Sequence, residues 1–282
     1  MQNREETIKS LQNKAKDIRK DLVTYCNRIG GCHIGGALSM CDVVVALFYH
    51  FMHYNPKDFK WEGRDRFILS KGHTACLLYN IFADMGMFTK EQIYSEYNKI
   101  DGRFGQHPNR LYLPMFEAST GSLGHGLPIA VGVALGLRID KKQNRVFCLT
   151  GDAELNEGSN WEALMAASQY KLGNLVLIID RNRLSSTRPT EEAMALEPLE
   201  DKLKSFGWDV WQLAGNDMND IVDKFSDLPE VLPSVGKPIA FIANTTKGKG
   251  ISFIENLPKW HTGCIGDDLL ADALESIEKE QY

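Results

Sequence analysis

Two side chains set the first question. Asp152 and Asn182 each stand just beyond an apolar run, VFCLT and NLVLIID, about 30 residues apart, the length of a strand–helix–strand crossover between neighbouring parallel strands. Both are therefore expected at the carboxyl edge of a sheet, where open α/β folds bind ligands. An Asp carboxylate, an Asn amide oxygen and a nearby backbone carbonyl make a hard oxygen set suited to magnesium or calcium. Both residue types are also common in turns. Asp152, followed by Glu154, Glu157 and Glu162, could equally belong to the cap of the next helix. Spacing alone leaves the two readings open.

Four histidines sit in turn-like settings beside Gly or Pro: His33 in GCHIGG, His73 in SKGHTA, His107 in GQHPN and His261 in KWHTG. Loop histidines on a rigid scaffold suit acid–base work near neutral pH, whereas His50 and His53 lie in an apolar helical run and are expected to be structural. The turn TGSLGHG opens a helix, so its glycines and free N–H groups could approach an anion. Its order is GxxGxG rather than the dinucleotide pattern GxGxxG, and a plain helix-entry turn would look the same. Lys247 and Lys249 in TTKGKG could meet phosphate or line a solvated exit loop.

These residues need elements to hold them. In IKSLQNKAKDIRKDLVTY, residues Ile8, Leu11, Ala15, Ile18 and Leu22 recur at steps of three and four, which predicts an amphipathic helix. Gly30 and Gly31 stop it, and Ser39 is expected to cap a second helix through DVVVALFYHF. A strand RFILS leads to a helix from about Thr74 to Met85, and Thr89 to Gln92 has capping-box form. The glycine turn precedes a helix to about Leu137. Strand RVFCLT, helix WEALMAASQY and strand NLVLIID follow, then helix EPLEDKLKSF, strand WDVWQL, helix MNDIVDKF and strand PIAFIANT. Continuous apolar strands alternating with helices predict an α/β fold with a mostly parallel sheet covered on both faces. The expectation is one domain over residues 1–282, with a polar tail from about Gly266 that has helical propensity and no evident packing role.

With 43% hydrophobic residues the chain can build a core, and a net charge of −5 argues against a nucleic-acid partner, which would want a basic face. The amino terminus lacks an apolar signal-type run, and no stretch approaches a membrane span. Six cysteines without a CxxC pair read as reduced thiols of a cytoplasmic protein. Cys32, His33 and Cys41 fit no zinc-finger spacing.

Together the motifs resemble the thiamine-diphosphate-dependent transketolases, specifically their amino-terminal, diphosphate-binding half. The family's GDG…N motif appears as GDAELNEG…KLGNLVLIIDRN. GCHIGG, SKGHTACLLY, GQHPN, STGSLGHG and TTKGKG…H match in the family's order, from about residue 5 to 263. The resemblance implies a three-layer diphosphate-binding fold and thiamine diphosphate with Mg2+ as cofactors, Ca2+ or Mn2+ being substitutes. It implies Asp152 and Asn182 as side-chain metal ligands, with the Leu184 carbonyl as a third. Gly151 and Ala153 would lie against the diphosphate, and Gly121 and Leu123 against the aminopyrimidine ring. His73 and His261 would serve the diphosphate and reacting carbon, and His33 and His107 substrate hydroxyls and protons. Glu157 matches a family glutamate at the cofactor, and Glu162 an interface carboxylate.

Three departures stand out. Ala153 replaces the motif's second glycine, which is tolerable if φ there is negative. The run RLSSTRPTEE differs from the family's usual loop at the Leu184 position. The family's pyrimidine-binding domain, which supplies the glutamate that activates the cofactor, and its third domain have no counterpart here. The chain is therefore expected to be one subunit of a split enzyme, a two-plus-two heterotetramer whose partner chain carries the pyrimidine-binding domain. The implied activity is two-carbon ketol transfer between sugar phosphates in carbohydrate metabolism of the pentose-phosphate type. A modified ketose such as a sulfonated sugar is the alternative substrate. Other possibilities are a deoxyxylulose-phosphate synthase-like chain, an α-type subunit of a 2-oxo-acid dehydrogenase, and a non-catalytic paralogue.

Overall fold

The computed structural model describes residues 3–231 and 236–280. Five strands, β1 (Arg66–Leu69), β2 (Val146–Gly151), β3 (Leu175–Arg181), β4 (Asp209–Ala214) and β5 (Ile239–Asn244), form one sheet in the order β1-β2-β3-β5-β4, and every pairing is parallel. Alternation along each strand feeds two separate cores. Phe147, Leu149, Val176, Ile178 and Phe241 face one side, while Cys148, Leu175, Leu177, Ile179 and Ile242 face the other. The first side is covered by helices Arg4–Arg28, Ala75–Asp84 and Met218–Ser226, and the second by Gly126–Ile139, Gly158–Gln169 and Leu199–Ser205. Burial on both faces explains why the central strands read as unbroken apolar runs.

Three local expectations change. The first helix starts at Arg4 because Asn3 and Glu6 form a capping box, which extends it beyond the apolar repeat. Ser39 is not a cap. The helical run breaks at Met40, and the Ser39 hydroxyl reaches the Asp180 carboxylate at 2.6 Å. The polar tail does have a packing role: it forms helix Asp267–Lys279, which buries Ala273 and Ile277 against the first helix. Glu278 meets Lys16 and Lys20 of that helix, and Asn27 donates to Asp267 at 2.9 Å. Mixed polar and apolar spacing hid this amphipathic face in a highly charged segment. All six cysteines are free, and only Cys264 is exposed.

Truncating a fully buried isoleucine leaves a cavity. Ile277→Ala should therefore destabilise the fold by about 2–5 kcal/mol, read as a lower urea midpoint. Glu278→Gln, on the exposed rim of the same contact, should leave the midpoint nearly in place; equal shifts would mean that the tail packs by charge alone.

Candidate active site

The strand ends converge on a cleft of about 290 Å³ at the carboxyl edge of the sheet. β2 delivers Gly151 and Asp152, and β3 delivers Asn182. The exit of β1 supplies Lys71 and His73, and the exit of β5 supplies Lys247. Adjacent parallel pairing, with Gly151 opposite Asp180, is what brings Asp152 and Asn182 together.

Asp152 does serve as a cap, without using all its oxygen capacity. Its Oδ1 accepts from Ala153 N at 2.8 Å, capping the short 3-10 turn Ala153–Asn156. Its Oδ2 accepts from Arg183 N at 2.7 Å and from Arg181 Nη1 at 3.1 Å. A carboxylate has about four lone-pair directions, so capping leaves room for a further partner. Burial and the nearby Asp180 raise its pKa. Ala153 sits in the helical turn with negative φ, so its methyl group is accommodated without strain.

Asp180, fully buried at the end of β3, organises the floor. Its carboxylate accepts from Lys71 Nζ, Ser39 Oγ, Asn182 Nδ2 and Thr245 Oγ1 at 2.5–2.9 Å. The Asn182 amide is thereby oriented with Oδ1 toward Leu184 N, at 3.1 Å. Lys71 is held by this ion pair and by the Gly36 carbonyl at 3.0 Å.

Glu154, unassigned from the sequence, is buried in the cleft wall. It accepts from Ser70 Oγ at 2.5 Å and from Gly124 N and Gly151 N, each at 3.0 Å. Burial raises its pKa, while these donors and Lys71 favour its charged form. One side chain thus ties the glycine turn to the end of β2. The turn requires its glycines: Gly124 has φ +83°, and a Cβ there would lie 2.5 Å from Glu157 Cβ. Glu157 itself is exposed behind that turn, outside the cleft lining. Gly121 and Leu123 do line the cleft.

The four loop histidines come together. His33 lies with its ring centroid 5.1 Å from His73, 5.3 Å from His261 and 6.4 Å from His107, and His73 lies 5.3 Å from His261. His107, the most exposed, lies outside the cleft lining, with its ring beside Gly121. Burial, then the Lys71 ammonium and the other imidazoles, pushes His73 down to about 2. Burial and then Lys247 push His261 down to about 3. His33 and His107 are lowered chiefly by burial. The cluster is therefore neutral near pH 7.

The two lysines of TTKGKG part company. Lys247 is buried in the cleft, donates to the Leu184 and Ser185 carbonyls at 3.3 and 2.8 Å, and lies 3.1 Å from His261 Nδ1. Burial, then Lys71, lowers its pKa to about 8. Lys249 points away, to Glu255 and Glu280. Glu162 is exposed on helix Gly158–Gln169, away from the cleft.

Among the described residues, no group of three or more His, Cys, Asp or Glu side chains is arranged to hold a metal ion. A cation in the cleft would rest on mixed donors: one carboxylate, one amide oxygen and a peptide carbonyl. That set suits a hard ion sharing its coordination with a phosphate. Gly151 adds to the fit, since a Cβ there would meet only Glu154 Cβ at 3.9 Å, leaving the backbone open toward the cleft. Lys71, Glu154, Asp180 and Arg181 escaped sequence reading; for Asp180 and Arg181 the available signal was charge placed inside a continuous buried strand.

A family model described as "Transketolase, thiamine diphosphate binding domain" matches residues 10–278. The chain is 40% identical to a subunit of the apulose-4-phosphate transketolase of Actinobacillus succinogenes, over 96% of each chain. It is 36% identical to the 6-deoxy-6-sulfo-D-fructose transketolase subunit SqwG of a Clostridium species, over 96% of this chain and 97% of that one. The crystal structure of transketolase from Campylobacter jejuni superposes with a TM-score of 0.84 at 28% identity, over 99% of this chain and 43% of that one. The chain thus spans less than half of that solved protein. No helix among the described residues is long and apolar enough to cross a membrane.

Two outcomes follow from the site's electrostatics. Asp180→Asn leaves Lys71 buried without its counter-charge, so it should cost about 3–5 kcal/mol in urea unfolding; a loss below about 1 kcal/mol would mean that Lys71 finds another acceptor. For the histidines, the unfolded chain binds protons near pH 6.5 while native His73 and His261 resist protonation down to about 2 and 3. Below pH 6.5 the unfolded state therefore holds more protons, and stability should fall as pH drops from about 6.5 to 5. His73→Gln should flatten that fall, as read from urea midpoints across the interval; an unchanged slope would show His73 already protonated in the fold.

Proposed function

Because the chain belongs to the transketolase family, as its thiamine-diphosphate-binding domain, we propose that it is the diphosphate-binding subunit of a split transketolase, transferring a two-carbon ketol unit from a ketose to an aldose. The observation that carries this reading is the convergence of His33, His73, His261, Asp152, Asn182 and the glycine turn on one cleft at the sheet's carboxyl edge, with the His107 ring 6.4 Å from His33 beside it.

Thiamine diphosphate, when bound, supplies the carbanion-stabilising chemistry that cleaves and forms the carbon–carbon bond. The chain's own residues bind and orient. Asp152 Oδ, Asn182 Oδ1 and the Leu184 carbonyl would hold Mg2+, with Gly151 and Ala153 against the diphosphate and Gly121 and Leu123 against the pyrimidine ring. Lys247 supplies positive charge on this side of the cleft, since Lys71 is already neutralised by Asp180. A neutral imidazole accepts a proton at one nitrogen and donates at the other. His33 and His107 would therefore exchange hydrogen bonds and protons with substrate hydroxyls, and His73 and His261 would serve the diphosphate and the reacting carbon as uncharged hydrogen-bonding groups. Glu162 would face a neighbouring subunit, while Glu157 supports the glycine turn from behind.

A partner chain carrying the pyrimidine-binding domain, in a two-plus-two heterotetramer, would complete the site. Relatives of nearly the same length are themselves named as subunits of a transketolase, which supports such a partner. Those relatives are named for apulose 4-phosphate and 6-deoxy-6-sulfo-D-fructose, so a modified ketose stands level with an ordinary sugar phosphate as donor. A cytoplasmic location accords with six free cysteines.

Ketol transfer should require both chains, thiamine diphosphate and Mg2+, and Asp152→Ala should remove the saturable heat of cofactor binding in calorimetry. Transfer by this chain alone, or parent-like binding by Asp152→Ala, would overturn the reading. Comparing kcat/KM for phosphorylated and sulfonated ketoses identifies the donor class.

A further inference from the structure

Arg181 is a buried arginine, with a side chain only 1% exposed, at the end of the central strand β3. Strand alternation sends its neighbours Asp180 and Asn182 to one side and Arg181 to the other. There its guanidinium meets the Asp152 carboxylate at 3.1 Å, the Thr190 hydroxyl at 2.7 Å, Glu191 at 2.7 Å and Glu197 at 2.9 Å. One positive charge thus gathers three carboxylates, of which only Asp152 is buried.

The last three partners belong to the chain that leaves a small hairpin. Residues 183–190 double back through an antiparallel bridge between Leu184 and Pro189, with Thr190 N donating to Arg183 O and Ser185 N to Arg188 O, both at 2.9 Å. The near strand of this hairpin carries the Leu184 carbonyl, and Ser185 and Ser186 line the cleft. Arg183 N, at its base, donates to the same Asp152 Oδ2 that Arg181 holds. A single fork therefore fastens both the carboxylate and the far end of the loop that bears the carbonyl.

We propose that Arg181 is a positioning residue that clamps Asp152 to the 183–190 hairpin, so that cation binding at Asp152 and order in the hairpin are coupled. The proposal rests on the reading of Asp152 as a metal ligand. Its physical basis is that a planar guanidinium satisfies several acceptors in fixed directions, which an ammonium or an apolar chain does not. Without it, Asp152 keeps two backbone N–H partners but loses its link to Glu191 and Glu197, whose charges then repel.

Hydrogen exchange across residues 183–197, with calorimetry of Mg2+ and thiamine diphosphate in the mixed subunits, tests this. Arg181→Met should speed exchange in that segment while β1 and β2 keep theirs, and should weaken cofactor binding roughly 10–100-fold. The double variant Glu191→Gln/Glu197→Gln, which leaves every cleft residue in place, should move both readouts in the same direction. Arg181→Lys should restore them only in part. Unchanged hairpin exchange in both variants removes the clamp, and faster exchange with parent-like affinity removes the coupling. A parent protein that binds neither Mg2+ nor thiamine diphosphate would instead remove the functional reading, and with it the coupling.

Discussion

The Asp180 carboxylate is the interaction on which the site depends. It is fully buried at the end of the central strand and receives hydrogen bonds from Ser39, Lys71, Asn182 and Thr245. Those four residues come from the short helix Ile34–Ser39, the exit of β1, the exit of β3 and the exit of β5. No apolar contact could hold four irregular segments in fixed register, because dispersion has no direction. Hydrogen bonds to a buried charge do have direction, and leaving any donor unmet at that depth is costly. The network therefore sets where the Asn182 amide points and where Lys71 rests, before any ligand is considered.

The cleft is rich in basic residue types, yet little of its positive charge is free. Burial and mutual repulsion keep the histidines neutral, and Asp180 cancels Lys71. Positive potential is then concentrated at Lys247, which bridges the Leu184 and Ser185 carbonyls to His261. Burial, then the Lys71 ammonium, lowers the Lys247 pKa to about 8. Such a cleft sets one cationic side chain directly beside uncharged imidazoles, an arrangement that a uniformly cationic pocket could not make.

Much of this is legible in the residues. Strand runs such as NLVLIID reveal a two-sided sheet, and their ends locate Asp152 and Asn182, because the carboxyl edge of a parallel sheet is fixed by chain direction. The clustering of His33, His73, His107 and His261 is suggested only by their similar settings, since about 228 residues separate the first from the last. Ser39 reads as a cap because local propensity cannot see a partner 141 residues away. Glu154 looks like one acid among several; what distinguishes it is burial, which depends on Ser70 and the glycine turn arriving from elsewhere in the chain. The tail helix is hidden for a related reason, as its apolar face is defined only by the first helix beneath it.

Glu154 also explains how the glycine turn can be both flexible in composition and rigid in place. Glycines at 121 and 124 allow backbone paths that other residues would strain, yet such freedom would ordinarily leave the turn mobile. The buried carboxylate removes that mobility by accepting from Gly124 N, Gly151 N and Ser70 Oγ at once. On the proposed reading, the turn meets the pyrimidine end of the cofactor and Gly151 meets the diphosphate end. A single carboxylate then sets the separation of the two anchors, so a ligand binding across them need not spend its interaction energy on ordering the loop.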